Sequence, residues 1–148
     1  MSAQAVLIVD DHPMNIELAR FVLEAKGFVV DAAANAQQAI TCIAARRPDL
    51  ILMDVQMPGT DGLALTRQLK QDPATRHIVV VAFTAYAMKG DEARMRAAGC
   101  DGYLAKPISV ASFAASVQAL LAVGPSEHAG RQVDGKRQDR GVEAKRQQ

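Results

Sequence analysis

Short unbroken apolar runs alternate along the chain with longer stretches whose apolar positions recur at helical spacing. The runs are VLIV at 6 to 9, FVV at 28 to 30, LILM at 50 to 53, IVVVAF at 78 to 83 and GYLA at 102 to 105. Strands that expose one face alternate apolar and polar residues, whereas strands covered on both faces read as continuous Val, Ile and Leu. The pattern therefore predicts five buried parallel strands with helices on both sides of the sheet. Met14, Leu18, Phe21, Val22 and Ala25 form one helical stripe that stops at Gly27, a residue suited to a helix C-terminus. A second helix is predicted near Asn35 to Arg47, ending at two arginines and Pro48. A third follows Asp61 as N-cap and ends before Asp72-Pro73, and a fourth runs from about Gly90 to Ala98 and stops at Gly99. The fifth starts at Ser109 and is expected to carry Val110, Phe113, Val117, Leu120 and Leu121 inward.

Five strand-helix units predict an α/β fold with a doubly wound five-stranded parallel sheet. In such sheets ligands bind beyond the carboxyl ends of the strands, where the strand order reverses. The sequence places Asp10-Asp11 after the first strand, Asp54 after the third, Thr84 after the fourth and Lys106-Pro107 after the fifth. Each has an ordinary reading alone: Asp11 as a cap of the first helix, Thr84 as a β-branched strand residue, Lys106 as a solvated cation. Together they make a different case, because facing carboxylates repel unless a cation or a proton intervenes. An oxygen-rich set of this kind suits Mg²⁺. Asp54, behind the central run LILM, is the placed nucleophile for an aspartyl phosphate, with Thr84 donating to a phosphoryl oxygen and Lys106 supplying positive charge.

At VLIVDDHPMN, DLILMDVQMPGTDG, VVAFTAYAMKGDEARMRAAGCDGY and LAKPIS the chain resembles the response-regulator receiver domains of two-component signalling, over about residues 5 to 122. The resemblance implies a flavodoxin-like sheet of strand order 2-1-3-4-5. It implies Mg²⁺ held by Asp11, Asp54 and the backbone carbonyl of Gln56, with Asp10 assisting through water. Asp54 would accept phosphoryl from a histidine kinase or a histidine phosphotransfer protein. Thr84 and Tyr103 match the family's switch pair, Lys106-Pro107 its lysine and cis-peptide proline, and Gln56 and Tyr86 the positions that flank the phosphoryl group. The output would be phosphorylation-dependent binding of a protein through helix four, strand five and helix five. The stretch from Ala87 to Ser109 is most similar to single-domain regulators of DivK type, which act in cell-cycle and differentiation control. Asp10 stands where the family often has Glu, and the basic tail has no family counterpart.

A haloacid-dehalogenase-like phosphatase is the alternative on the same kind of sheet, but it needs an acid two places after its nucleophile, where this chain has Gln56. A receiver that serves only as a phosphate sink or docking module is the other. On the first reading the protein is not an enzyme beyond its own phosphorylation and slow dephosphorylation. A net charge of +1 and scattered basic residues argue against nucleic acid as a partner, and no apolar stretch approaches a membrane span. With no signal-peptide pattern at the start, the expected compartment is the cytoplasm. Gly124 to Gln148 carries six basic and four acidic residues and few apolar ones, so residues 1 to 123 are read as the receiver and the remainder as a disordered tail. Cys42 and Cys100 read as small buried hydrophobes, and Met53, Met57, Met88 and Met95 as core or loop residues. His12, His77 and His128 are too scattered along the chain to predict a metal site.

Overall fold

In a computed structural model the described residues are 4–125, apart from 56, 58, 60, 86–88 and 107. Five strands, β1 (Ala5–Val9), β2 (Val29–Ala33), β3 (Leu50–Asp54), β4 (Val79–Thr84) and β5 (Gly102–Ala105), alternate with five helices. The helices are α1 (Pro13–Ala25), α2 (Ala36–Ala45), α3 (Gly62–Gln71), α4 (Lys89–Ala98) and α5 (Phe113–Val123). The strands are all parallel and lie in the order β2-β1-β3-β4-β5, as the family resemblance implies.

The residues of β1, β3 and β4 are buried because each meets a helix layer on one side or the other, whereas the edge strands β2 and β5 are only partly covered. Leu7, Val9, Ile51, Met53, Val80 and Ala82 face one core with residues of α2, α3 and α4. Val6, Ile8, Leu50, Leu52, Val81 and Phe83 face the other, with residues of α1 and α5. Polar caps fix the ends of two helices on the first side: Asn35 Oδ1 accepts from Gln38 N, and Asp61 Oδ1 from Leu63 N and Ala64 N. Gly62 admits no side chain, since a Cβ there would lie 2.5 Å from the Asp54 carbonyl oxygen. The start of α3 is thereby seated directly against the end of β3.

Three readings of the sequence need correction. Of the expected α1 stripe only Val22 is buried; Met14, Leu18, Phe21 and Ala25 face solvent, with Met14 81% and Phe21 72% exposed, and the helix buries Ala19 and Leu23 beside Val22. The small Ala19 lets α1 approach the sheet closely, which the larger residues on the opposite face could not do. Helix α5 begins at Phe113, not Ser109; Ser109 to Ser112 form a turn in which Ser109 O accepts from Ser112 N and Phe113 N, leaving Val110 exposed. Asp11 does not take the N-cap of α1, which falls on His12 with Pro13 at the first helical position.

No motif in the sequence marks out Lys70. Its ammonium is buried at the end of the sheet opposite the acids and donates to Arg76 O, Ile78 O and Asp101 Oδ2 at 3.0, 2.7 and 2.8 Å. Asp101 Oδ2 also accepts from Val80 N. A single buried pair thus ties α3 to β4 and to the segment between α4 and β5. Cys100 is buried beside it, and burial pushes its thiol up to about 11, as for an inert core residue. Among the described residues no helix is long and apolar enough to cross a membrane.

Candidate phosphoryl-acceptor site

Strand parity assembles the site. Val6, Ile8 and Asp10 project to one side of β1, and Leu50, Leu52 and Asp54 to the same side of β3, its neighbour. These strands flank the point where the sheet order reverses, and both carboxylates stand at their carboxyl ends. Phe83 is the register partner of Asp54 on β4, and Leu104 is the partner of Phe83 on β5. Two residues past Leu104, Lys106 therefore emerges on the same side. Its Nζ lies 2.9 Å from Asp10 Oδ2 and 3.2 Å from Asp54 Oδ2, and 5.1 Å from the centroid of the Phe83 ring. The backbone N–H of Lys106 donates to Thr84 O at 2.9 Å, holding the end of β5 to the end of β4.

Asp10 is fully buried. Burial works to raise its carboxyl, but the His12 backbone N–H, 2.9 Å from Oδ1, and the Lys106 ammonium outweigh it and hold the pKa below the ordinary value. Asn15 Nδ2 adds a longer bond of 3.4 Å to Oδ2. Asp54 and Thr84 are buried at the last positions of β3 and β4. Tyr103 lies in mid-β5, partly exposed, on the face that carries Ala82 and Thr84 toward α4. Gln56, Tyr86 and Pro107, assigned to metal binding, phosphoryl flanking and a cis peptide, lie outside the described residues.

The donor atoms of Asp10, Asp11, His12 and Asp54 all lie within 4.8 Å of one another. Asp11 Oδ1 is buried and makes no hydrogen bond to the described residues, a costly state for a carboxylate oxygen unless a cation completes it. The set therefore fits a divalent cation. His12 corrects the reading of the histidines as scattered: the turn after β1 brings its Nδ1 to 3.1 Å from Asp11 Oδ1 and 3.3 Å from Asp10 Oδ1. Its adjacency to two acids was the available signal.

Residues 6–118 match the response regulator receiver domain profile. The chain is 45% identical over 118 residues to the polar-differentiation response regulator DivK of Brucella anthropi, covering 80% of this chain and 96% of that one. It is similar to the signal receiver domain of a signal transduction histidine kinase from Syntrophus aciditrophicus, with TM-score 0.73, 32% identity and 92% and 98% of the two chains covered. A two-component response regulator from Clostridium difficile matches with TM-score 0.74 at 27% identity, covering 80% and 96%. With its profile match spanning the sheet and the acidic edge alike, the chain belongs to the response regulator receiver domain family.

Proposed function

We propose that this receiver accepts a phosphoryl group on Asp54 from the phosphohistidine of a kinase or phosphotransfer protein and passes the signal on by binding a protein partner. The observation that carries the reading is the Lys106 ammonium held between Asp10 and Asp54 beside an Asp11 oxygen that no described residue hydrogen-bonds. A carboxylate oxygen of Asp54 forms the new P–O bond as the donor's P–N bond breaks, and the electron pair leaves with the imidazole. Lys106 stabilises the negative charge carried by the phosphoryl oxygens, and the Thr84 hydroxyl donates to one of them. Asp11, Asp54 and the Gln56 carbonyl, with Asp10 acting through water, would hold Mg²⁺, which when bound neutralises phosphoryl charge. The exposed stripe Met14, Leu18 and Phe21 on α1, beside the site, gives a protein donor an apolar surface to settle on. Output leaves through α4, β5 and α5, and the likeness to DivK favours a role in cell-cycle or differentiation control in the cytoplasm. Residues 1 to 123 are the working unit, with the tail outside it.

The test is incubation with acetyl phosphate and Mg²⁺ followed by intact mass. One added phosphoryl group is expected. The same gain in Asp54→Asn, or an equal gain in EDTA, overturns the assignment.

A further inference from the structure

The N-cap of a helix ordinarily carries Ser, Thr, Asp or Asn, whose oxygen accepts a bond from the first turn. In α1 that position is His12, and its side chain makes no capping bond. The ring turns instead toward the acids, with Nδ1 near one oxygen of each of Asp10 and Asp11. The His12 side chain is 63% exposed, so no packing demand of the core accounts for an imidazole here. Asp11 Oδ1, the oxygen it approaches most closely, is the buried one that makes no hydrogen bond to the described residues.

We propose that His12 is a nitrogen donor to the divalent-cation site and biases that site toward borderline ions such as Ni²⁺ relative to Mg²⁺. The inference rests on the reading that the acids hold a cation. Carboxylate and carbonyl oxygens suit Mg²⁺, whereas imidazole suits nickel, zinc and copper. Ligands about 2.1 Å from an ion stand about 4.2 Å apart when opposite one another. A donor set contained within 4.8 Å is therefore small side-chain rotations from a common centre. Neutral His12 would bind through Nδ1 and leave Nε2–H to water. A ring that only hydrogen-bonds the acids has a different consequence, because its loss changes the affinity for every divalent ion by the same factor.

Calorimetric titration of the tag-free chain with MgCl₂ and with NiCl₂ separates the two. His12→Asn restores a capping side chain and so protects the fold, and His12→Phe keeps a planar ring without a donor. The expected result is a nickel Kd raised at least about tenfold in both variants, with the magnesium Kd moved less than about threefold. A strongly shifted exchangeable imidazole proton in the nickel-loaded wild type should vanish with them. An unchanged ratio of the two Kd values overturns the role of His12 while leaving the cation site intact. Failure of wild type to bind Mg²⁺ overturns the cation site itself.

Discussion

One ammonium serves two buried carboxylates. Lys106 meets both Asp10 and Asp54, leaving Asp11 with an oxygen that no described residue satisfies with a hydrogen bond. Mg²⁺ at 100 times its Kd should therefore stabilise the folded chain by about 2.7 kcal/mol. Asp11→Asn should lose most of that gain in a thermal melt; a variant that keeps it shows that Asp11 is not a ligand. These acids were legible because each follows an apolar run, and the parity of a strand then fixes which side the residue faces. Lys106 was legible for the same reason. Lys70 was not, because a lone lysine in QLKQD reads as solvated, and only folding reveals that Arg76 O, Ile78 O and Asp101 converge on it.

At the level of elements, four strands were readable to within a residue at each end, β2 was read three residues short because Asp31-Ala32-Ala33 carries no apolar run, and the helix faces were less legible. Helix α1 carries apolar residues on two sides, and spacing alone does not say which side meets the sheet. Packing decides through Ala19, whose small side chain is fully buried while Phe21 stays in solvent. Phe21→Ala should accordingly cost less than about 0.5 kcal/mol, against roughly 1 to 3 kcal/mol for Val22→Ala, by denaturant unfolding. The same Phe21→Ala should slow phosphotransfer from a protein donor and leave acetyl phosphate labelling unchanged. Equal rates with both donors would exclude the α1 stripe from donor docking. The start of α5 was misplaced because SVAS supports a turn as readily as a first helical turn, and Val110 gave a false inward signal. The Lys70–Asp101 pair joins three elements with both side chains almost entirely buried. Lys70→Met should cost about 3 to 5 kcal/mol by removing the cation held against the buried Asp101 carboxylate, whose Oδ2 then keeps the Val80 N–H but loses this ion pair. A loss below about 1 kcal/mol would show that the pair is dispensable.

Across the whole molecule, the two ends of the sheet have different tasks. At the carboxyl ends, Thr84 and Tyr103 share the face beneath α4, and phosphate on Asp54 would bias their arrangement. A beryllofluoride adduct should raise partner affinity roughly 5 to 150-fold, corresponding to about 1 to 3 kcal/mol of coupling. Thr84→Ala and Tyr103→Ala should each lose most of that gain, and its full retention in both places the switch elsewhere. At the opposite end, Lys70 grips Asp101, Asp101 N donates to Val80 O at 2.7 Å, and the Lys70 stem packs so close to Gly99 that a Cβ there would lie 2.8 Å from its Cγ. The C-terminal end of α4 is thus clamped, while Thr84 ends β4 near the other end. A rod fastened at one end moves as a lever and cannot slide. Over the ten residues of α4, about 15 Å, a tilt of about 10° displaces the Lys89 end by nearly 3 Å and the Ala98 end hardly at all. Were phosphorylation of Asp54 to tilt α4, the reach of the signal across the surface would be set by the length of the arm and the firmness of its fulcrum, and Lys70, at the opposite end of the sheet from Asp54, would be that fulcrum.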